Sequence, residues 1–197
     1  MELDTIYFKI HGGRRTGTNY ITSLLIDNFT NVKCIMNLGG GKHKIINYYP
    51  TMEQLKKTAE CEYNFEHIFN LYKNNKIIFL IMIKNPYLWI DSLFRFEENY
   101  NYPSMKCYLE NNDLDNLKTR TIEFINYWNK IYSNYKEYII NNKAHLIKYE
   151  NILEDYVKIL NELKSKYNLV NKNNSYNNEK YTLKANNDKT IKTTYNY

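Results

Sequence analysis

The sequence predicts a three-layer α/β fold, a central parallel sheet flanked by helices, on three observations. Strand-like and helix-like stretches alternate from Thr5 to Tyr167. The run from Ile77 to Ile83 is apolar at every position, the pattern of a strand covered on both faces. A turn carrying Gly12, Gly13 and Gly17 joins the first strand to the first helix. The chain has 197 residues, 43% of them hydrophobic, enough for one core. We read residues 1–167 as one domain and 168–197 as an Asn- and Lys-rich tail, packed weakly or ordered by a ligand.

Taken in order, Thr5 to Ile10 alternates as a strand, and the helix after the glycine turn puts Ile21, Leu24, Leu25 and Phe29 on one face. Val32 to Met36 reads as a short second strand, followed by a loop at Gly39, Gly40 and Gly41. Thr51 with Gln54 three residues on forms a capping box, opening a helix to about Tyr72 with Leu55, Ala59 and Ile68 inward. After the Ile77 strand, Asn85-Pro86 leads into a helix from Tyr87 to Glu98, and a loop spans Asn101 to Ser104. Leu117 to Ile140 reads as a long amphipathic helix carrying Ile122, Ile125, Trp128, Tyr132, Tyr135 and Ile139. Ala144 to Tyr149 is a strand, and Ile152, Tyr156, Leu160, Leu163 and Tyr167 mark the helix after it.

Composition narrows the function classes. No apolar run approaches the roughly 20 residues that cross a bilayer, and the first ten residues lack a signal-peptide layout. Cys34, Cys61 and Cys107 show no metal or redox spacing, which points to a reduced, cytoplasmic setting. The net charge of +6 is spread along the chain, so it reads as a solubilising surface before a nucleic-acid face.

The turn His11-Gly12-Gly13-Arg14-Arg15-Thr16-Gly17-Thr18-Asn19 has the glycines and hydroxyls of an oxyanion cradle, with N–H groups and a helix start aimed at negative charge. Gly12 and Gly17 keep the spacing of a nucleoside-triphosphate loop, but Thr18 stands where its lysine belongs, and the cations Arg14 and Arg15 lie inside the turn.

Arg15-Thr16-Gly17-Thr18-Asn19-Tyr20 resembles the 5′-phosphosulfate loop of the sulfotransferases that use 3′-phosphoadenosine 5′-phosphosulfate, a P-loop family. The resemblance implies a P-loop, sulfotransferase-like fold. Arg15 would replace the catalytic lysine, Thr16, Gly17, Thr18 and Asn19 would hold the phosphosulfate beside Arg14, and Tyr20 would lie near the adenine. Arginine binds oxygens in pairs but cannot give up its proton. Lys84-Asn85-Pro86, with Ser92 eight residues after Lys84, is similar to the family's Arg-Asn-Pro and serine, which grip the 3′-phosphate. Tyr149-Glu150-Asn151-Ile152-Leu153 resembles its Tyr-Glu-Asp-Leu segment, whose tyrosine approaches the adenine. The family's C-terminal basic-glycine element has no clear copy between Tyr181 and Lys192.

The implied donor is 3′-phosphoadenosine 5′-phosphosulfate, with no metal, and the implied acceptor is a small molecule or glycan bearing a hydroxyl or amine. The family places a Lys-x-His or similar segment after its second strand, and Gly41-Lys42-His43-Lys44 occupies a comparable place, making His43 the expected general base, with His11 its rival and His67 and His145 structural. Phe94, Phe96 and Tyr100 suit an acceptor pocket or an ordinary core equally. Two other readings share the motifs: a P-loop kinase of a nucleotide or small molecule, and a noncatalytic nucleotide- or nucleic-acid-binding module.

Overall fold

The computed structural model describes residues 4–35, 42–43, 65–98, 102–141 and 144–178. Its strands are β1 (Ile6–Gly12), β2 (Val32–Cys34), β3 (Ile77–Ile83) and β4 (Ala144–Lys148). Its helices are α1 (Thr18–Asn28), α2 (Phe65–Lys73), α3 (Pro86–Glu98), α4 (Met105–Glu110), α5 (Leu114–Ile140) and α6 (Tyr149–Tyr167). The strands form one parallel sheet in the order β2-β1-β3-β4.

That order creates a crevice. The chain leaves β1 through α1 toward β2 on one side, and leaves β3 through α3 to α5 toward β4 on the other. The C-terminal ends of β1 and β3 therefore flank a topological switch point, where open α/β sheets bind ligands. Right-handed crossovers put helices on both faces. On one face Phe8, Ile10, Leu80, Met82 and Ile147 pack on α1 and α6 through Ile21, Leu24, Leu25, Ile152, Leu160 and Leu163. On the other, Ile81 packs on Ile131, Tyr132, Tyr135 and Tyr138 of α5, and Tyr7 and Ile77 pack on Ile68 of α2.

The three-layer α/β architecture agrees with the expectation, and the differences have local causes. α5 begins at Leu114, and its buried stripe is Phe124, Ile131, Tyr132, Tyr135 and Tyr138. Ile122 and Ile125, read as inward, are 47% and 42% exposed. Tyrosine carries most of that inner face, so an aliphatic count points the wrong way. α4, which has no apolar periodicity, is started by Ser104, whose Oγ accepts from Cys107 N at 3.1 Å. Thr51 to Asn64 of the capping-box helix, the Gly39 to Gly41 loop and Tyr100 lie outside the described residues.

Packing continues past Tyr167. Leu169 is buried in the α1–α6 layer. Thr30 N donates to Val170 O at 2.9 Å, and Lys172 N donates to Asn28 O at 2.8 Å. The buried Asn28 side chain donates to Asn177 O at 3.0 Å and accepts from Asn177 N at 2.5 Å, and Tyr20 OH donates to Asn178 Oδ1 at 3.1 Å.

Candidate functional site

The cradle is built by the chain turning sharply out of β1. Gly12 approaches β3 so closely that a Cβ there would stand 2.9 Å from Met82 O. Thr16, fully buried, closes the turn by donating its hydroxyl to Gly13 O at 2.7 Å. Arg15 and Gly17 take left-handed backbone angles, φ 64° and 81°. Left-handed arginine is costly, and such strain collects where a site requires a particular side-chain direction. Gly17 has no such penalty, and it leaves room for the Tyr149 ring, which any Cβ at position 17 would strike.

α1 starts directly from Gly17 with no side-chain cap and no acidic residue in its first turn. The N–H groups of Thr18 and Asn19 lie in that first turn and have no intrahelical acceptor, the kind of donor that can bind an anion at a helix start. Below the turn, α5 supplies a buttress that sequence patterning did not indicate. Tyr132 OH donates to Met82 O at 2.9 Å and lies close to Gly13 N–H and the Thr16 hydroxyl. Burial drives the Tyr132 pKa well up, keeping the phenol neutral. Trp89 of α3, fully buried, donates Nε1 to Arg14 O at 2.6 Å and stacks on Tyr127 at 6.1 Å.

The two arginines separate to opposite flanks of the turn. Arg15 lies over the Phe96 ring at 5.4 Å and acts electrostatically on Lys84 and Tyr149. Arg14 acts on His43 and Tyr127. Among the described residues none of Arg14, Arg15, Lys42 and Lys84 forms an ion pair.

On the β3 side, Lys84 extends the strand and lies 5.4 Å from the Tyr149 ring, which meets Tyr20 edge-on at 6.5 Å. Sequence reading therefore grouped residues that the fold does bring together: Lys84, Tyr149, Tyr20, Arg15 and Gly17. Burial, with Arg95 and Arg15 nearby and Glu150 opposing them, pulls the Lys84 pKa down to about 8. Asn85 holds the corner: its Oδ1 accepts from Tyr87 N at 3.0 Å, capping α3 ahead of Pro86, while its own N–H donates to Glu150 Oε1 at 2.9 Å. Ser92 is buried, at 7% exposure, on α3. The charged groups of α3 that act on Lys84 are Arg95 and Asp91, paired at 2.6 Å. Arg95 is a site cation the motif match did not include; its spacing from Ser92, three residues on the same helix, was the available signal.

On the β2 side, even-numbered residues of β1 direct their backbone groups toward β2: Ile6 N donates to Asn31 O and Phe8 O accepts from Ile35 N. Gly12 repeats this with residues 42–43, its N–H donating to Lys42 O at 2.9 Å and its carbonyl accepting from His43 Nδ1 at 2.9 Å. A carbonyl only accepts, so Nδ1 carries the proton and Nε2 is the basic nitrogen of the neutral ring. Tyr127 OH donates to His43 O at 3.4 Å, and Asn19 Oδ1 holds the Lys42 ammonium over the start of α1. Burial foremost, with Lys42 and Arg14 assisting, holds His43 below the ordinary histidine pKa. His11, the rival base, is 1% exposed, stacked on Phe79 at 6.0 Å, with neither ring nitrogen hydrogen-bonded. Burial keeps it neutral, and it faces α5 rather than the crevice. His67 bonds Tyr7 OH at 3.2 Å within the α2 packing, and His145 lies on β4 beside Lys166 and Tyr167.

Gly17→Ala tests how the corner is assembled. The left-handed backbone alone costs about 1–2 kcal/mol and Tyr149 must move, so thermal unfolding should show a Tm lower by at least about 2 °C.

No protein-family model, curated protein or solved structure gives a significant match to this chain.

Proposed function

We propose that the protein transfers a sulfuryl group from 3′-phosphoadenosine 5′-phosphosulfate to a hydroxyl or amine. The carrying observation is the pair of flanks on one crevice. Arg15 and Lys84, neither in an ion pair among the described residues, face an aromatic corner on one side, and a histidine whose basic nitrogen is Nε2 stands on the other.

In this reading the start of α1 and Arg15 bind the 5′-phosphosulfate, Lys84 with Arg95 faces the 3′-phosphate, and Tyr149 and Tyr20 border the adenine. The acceptor oxygen attacks sulfur in line while its proton passes to His43 Nε2. The bond from sulfur to the bridging 5′-phosphate oxygen breaks, and adenosine 3′,5′-bisphosphate leaves with that electron pair. Arg15, Lys84 and the α1 N–H groups balance charge on the sulfuryl oxygens and the leaving bisphosphate, the term that dominates such transfers.

The test is binding of adenosine 3′,5′-bisphosphate against ATP with magnesium; preference for the bisphosphate supports the reading and preference for ATP overturns it. A second measurement follows from Lys84. An amine with a pKa of about 8 loses its charge as pH rises above that value. Bisphosphate affinity should then fall by up to about tenfold per pH unit. Lys84→Arg, whose charge does not titrate, should flatten that decline. The same slope in both proteins would remove Lys84 from the anion site.

A further inference from the structure

We propose that the acceptor is itself anionic, and that Arg14 and Lys42 bind a carboxylate or other oxyanion carried on the same molecule as the attacking group. This deepens, and rests on, the sulfuryl-transfer reading.

The argument begins with where charge lies. A 3′-phosphoadenosine donor presents its anions to the loop, to the start of α1 and to the end of β3, where Arg15 and Lys84 stand. Arg14 bears on the other flank: its guanidinium acts on His43 and Tyr127, which are joined by the Tyr127 OH–His43 O bond. Lys42 approaches from the same β2 flank through the Gly12 bond, and its described side-chain partner, Asn19, is neutral. Two cations that form no ion pair among the described residues therefore bracket the base.

Such a pair is poorly suited to a neutral acceptor. Both cations make His43 a weaker base, opposing the proton transfer it is asked to perform. An acceptor that carries its own negative charge onto Arg14 and Lys42 cancels that effect as it binds, restoring basicity only in the occupied site. A neutral acceptor leaves the penalty in place. Recognition and activation of the base are thereby carried by the same two side chains.

A matched pair of probes isolates the charge: 4-nitrophenyl β-D-glucuronide and 4-nitrophenyl β-D-glucoside, titrated calorimetrically into protein saturated with adenosine 3′,5′-bisphosphate. The glucuronide should bind about tenfold or more tighter, as a charged hydrogen-bonded contact warrants. Arg14→Ala with Lys42→Gln should close the gap while bisphosphate affinity is retained. Equal binding of the two glycosides, binding of neither, or a gap that survives both substitutions overturns the proposal. If the protein fails to take up the bisphosphate at all, the sulfuryl-transfer reading fails first. The same pair titrated into unloaded protein then decides the anion site by the same criteria.

Discussion

Replacing His43 with alanine should lower kcat for the proposed sulfuryl transfer by about 10²- to 10⁴-fold and leave adenosine 3′,5′-bisphosphate binding unchanged. The expectation rests on one bond: the Gly12 carbonyl accepts from Nδ1 at 2.9 Å and so leaves Nε2 as the basic nitrogen. The pH profile carries a second signature. Because burial and the neighbouring cations push the imidazole pKa below 6.5, the ring is already neutral at pH 7, and kcat/KM should fall only at more acidic pH. In the alanine variant that acid limb should vanish. A variant that keeps both rate and limb would show that another group takes the proton.

Trp89 is where the largest stability loss should appear. It is fully buried, stacks on Tyr127 at 6.1 Å and meets Phe124 edge-on at 6.5 Å. Trp89→Ala should cost about 3–5 kcal/mol, a large part of the roughly 5–15 kcal/mol that holds a domain folded. Urea unfolding measures it. Trp89→Phe separates packing from polarity, because it keeps most of the ring and removes the N–H that Arg14 O accepts. That carbonyl then loses its partner, costing about 0.5–1.5 kcal/mol, and the Arg14 flank loosens. The glucuronide preference should shrink in Trp89→Phe while the unfolding midpoint moves much less than in Trp89→Ala. Equal midpoints in the two variants would mean that the indole contributes chiefly through its N–H.

The order of strands and helices could be read from the sequence because each element carries a period of its own. Ile77 to Ile83 is apolar on both faces and proves to be the strand between β1 and β4. α5 shows the limit: its inward face is made largely of tyrosine, and in a chain with 21 tyrosines spread throughout, that face has no compositional contrast. The site was legible in part for a similar reason. Gly17, Tyr149 and Lys84 belong to recognisable local motifs, and the sheet brings their ends together. Which way Arg14 and Arg15 diverge was not legible, because it depends on the left-handed angle at Arg15 and on an indole 75 positions away. The burial of His11 depends on which face of β1 meets α5, a choice decided by tertiary packing.

The bonds between Asn28 and Asn177 join points 149 positions apart, so the far end of α1 is secured by nearly the last stretch of the described chain. Closing so long a loop carries an entropic cost before any contact repays it, and folds rich in such closures form slowly. On a ribosome, the helix that leaves the glycine turn would therefore wait for the 149 positions from Asn28 to Asn177 before its far end is locked, so completion of this layer trails synthesis of the turn.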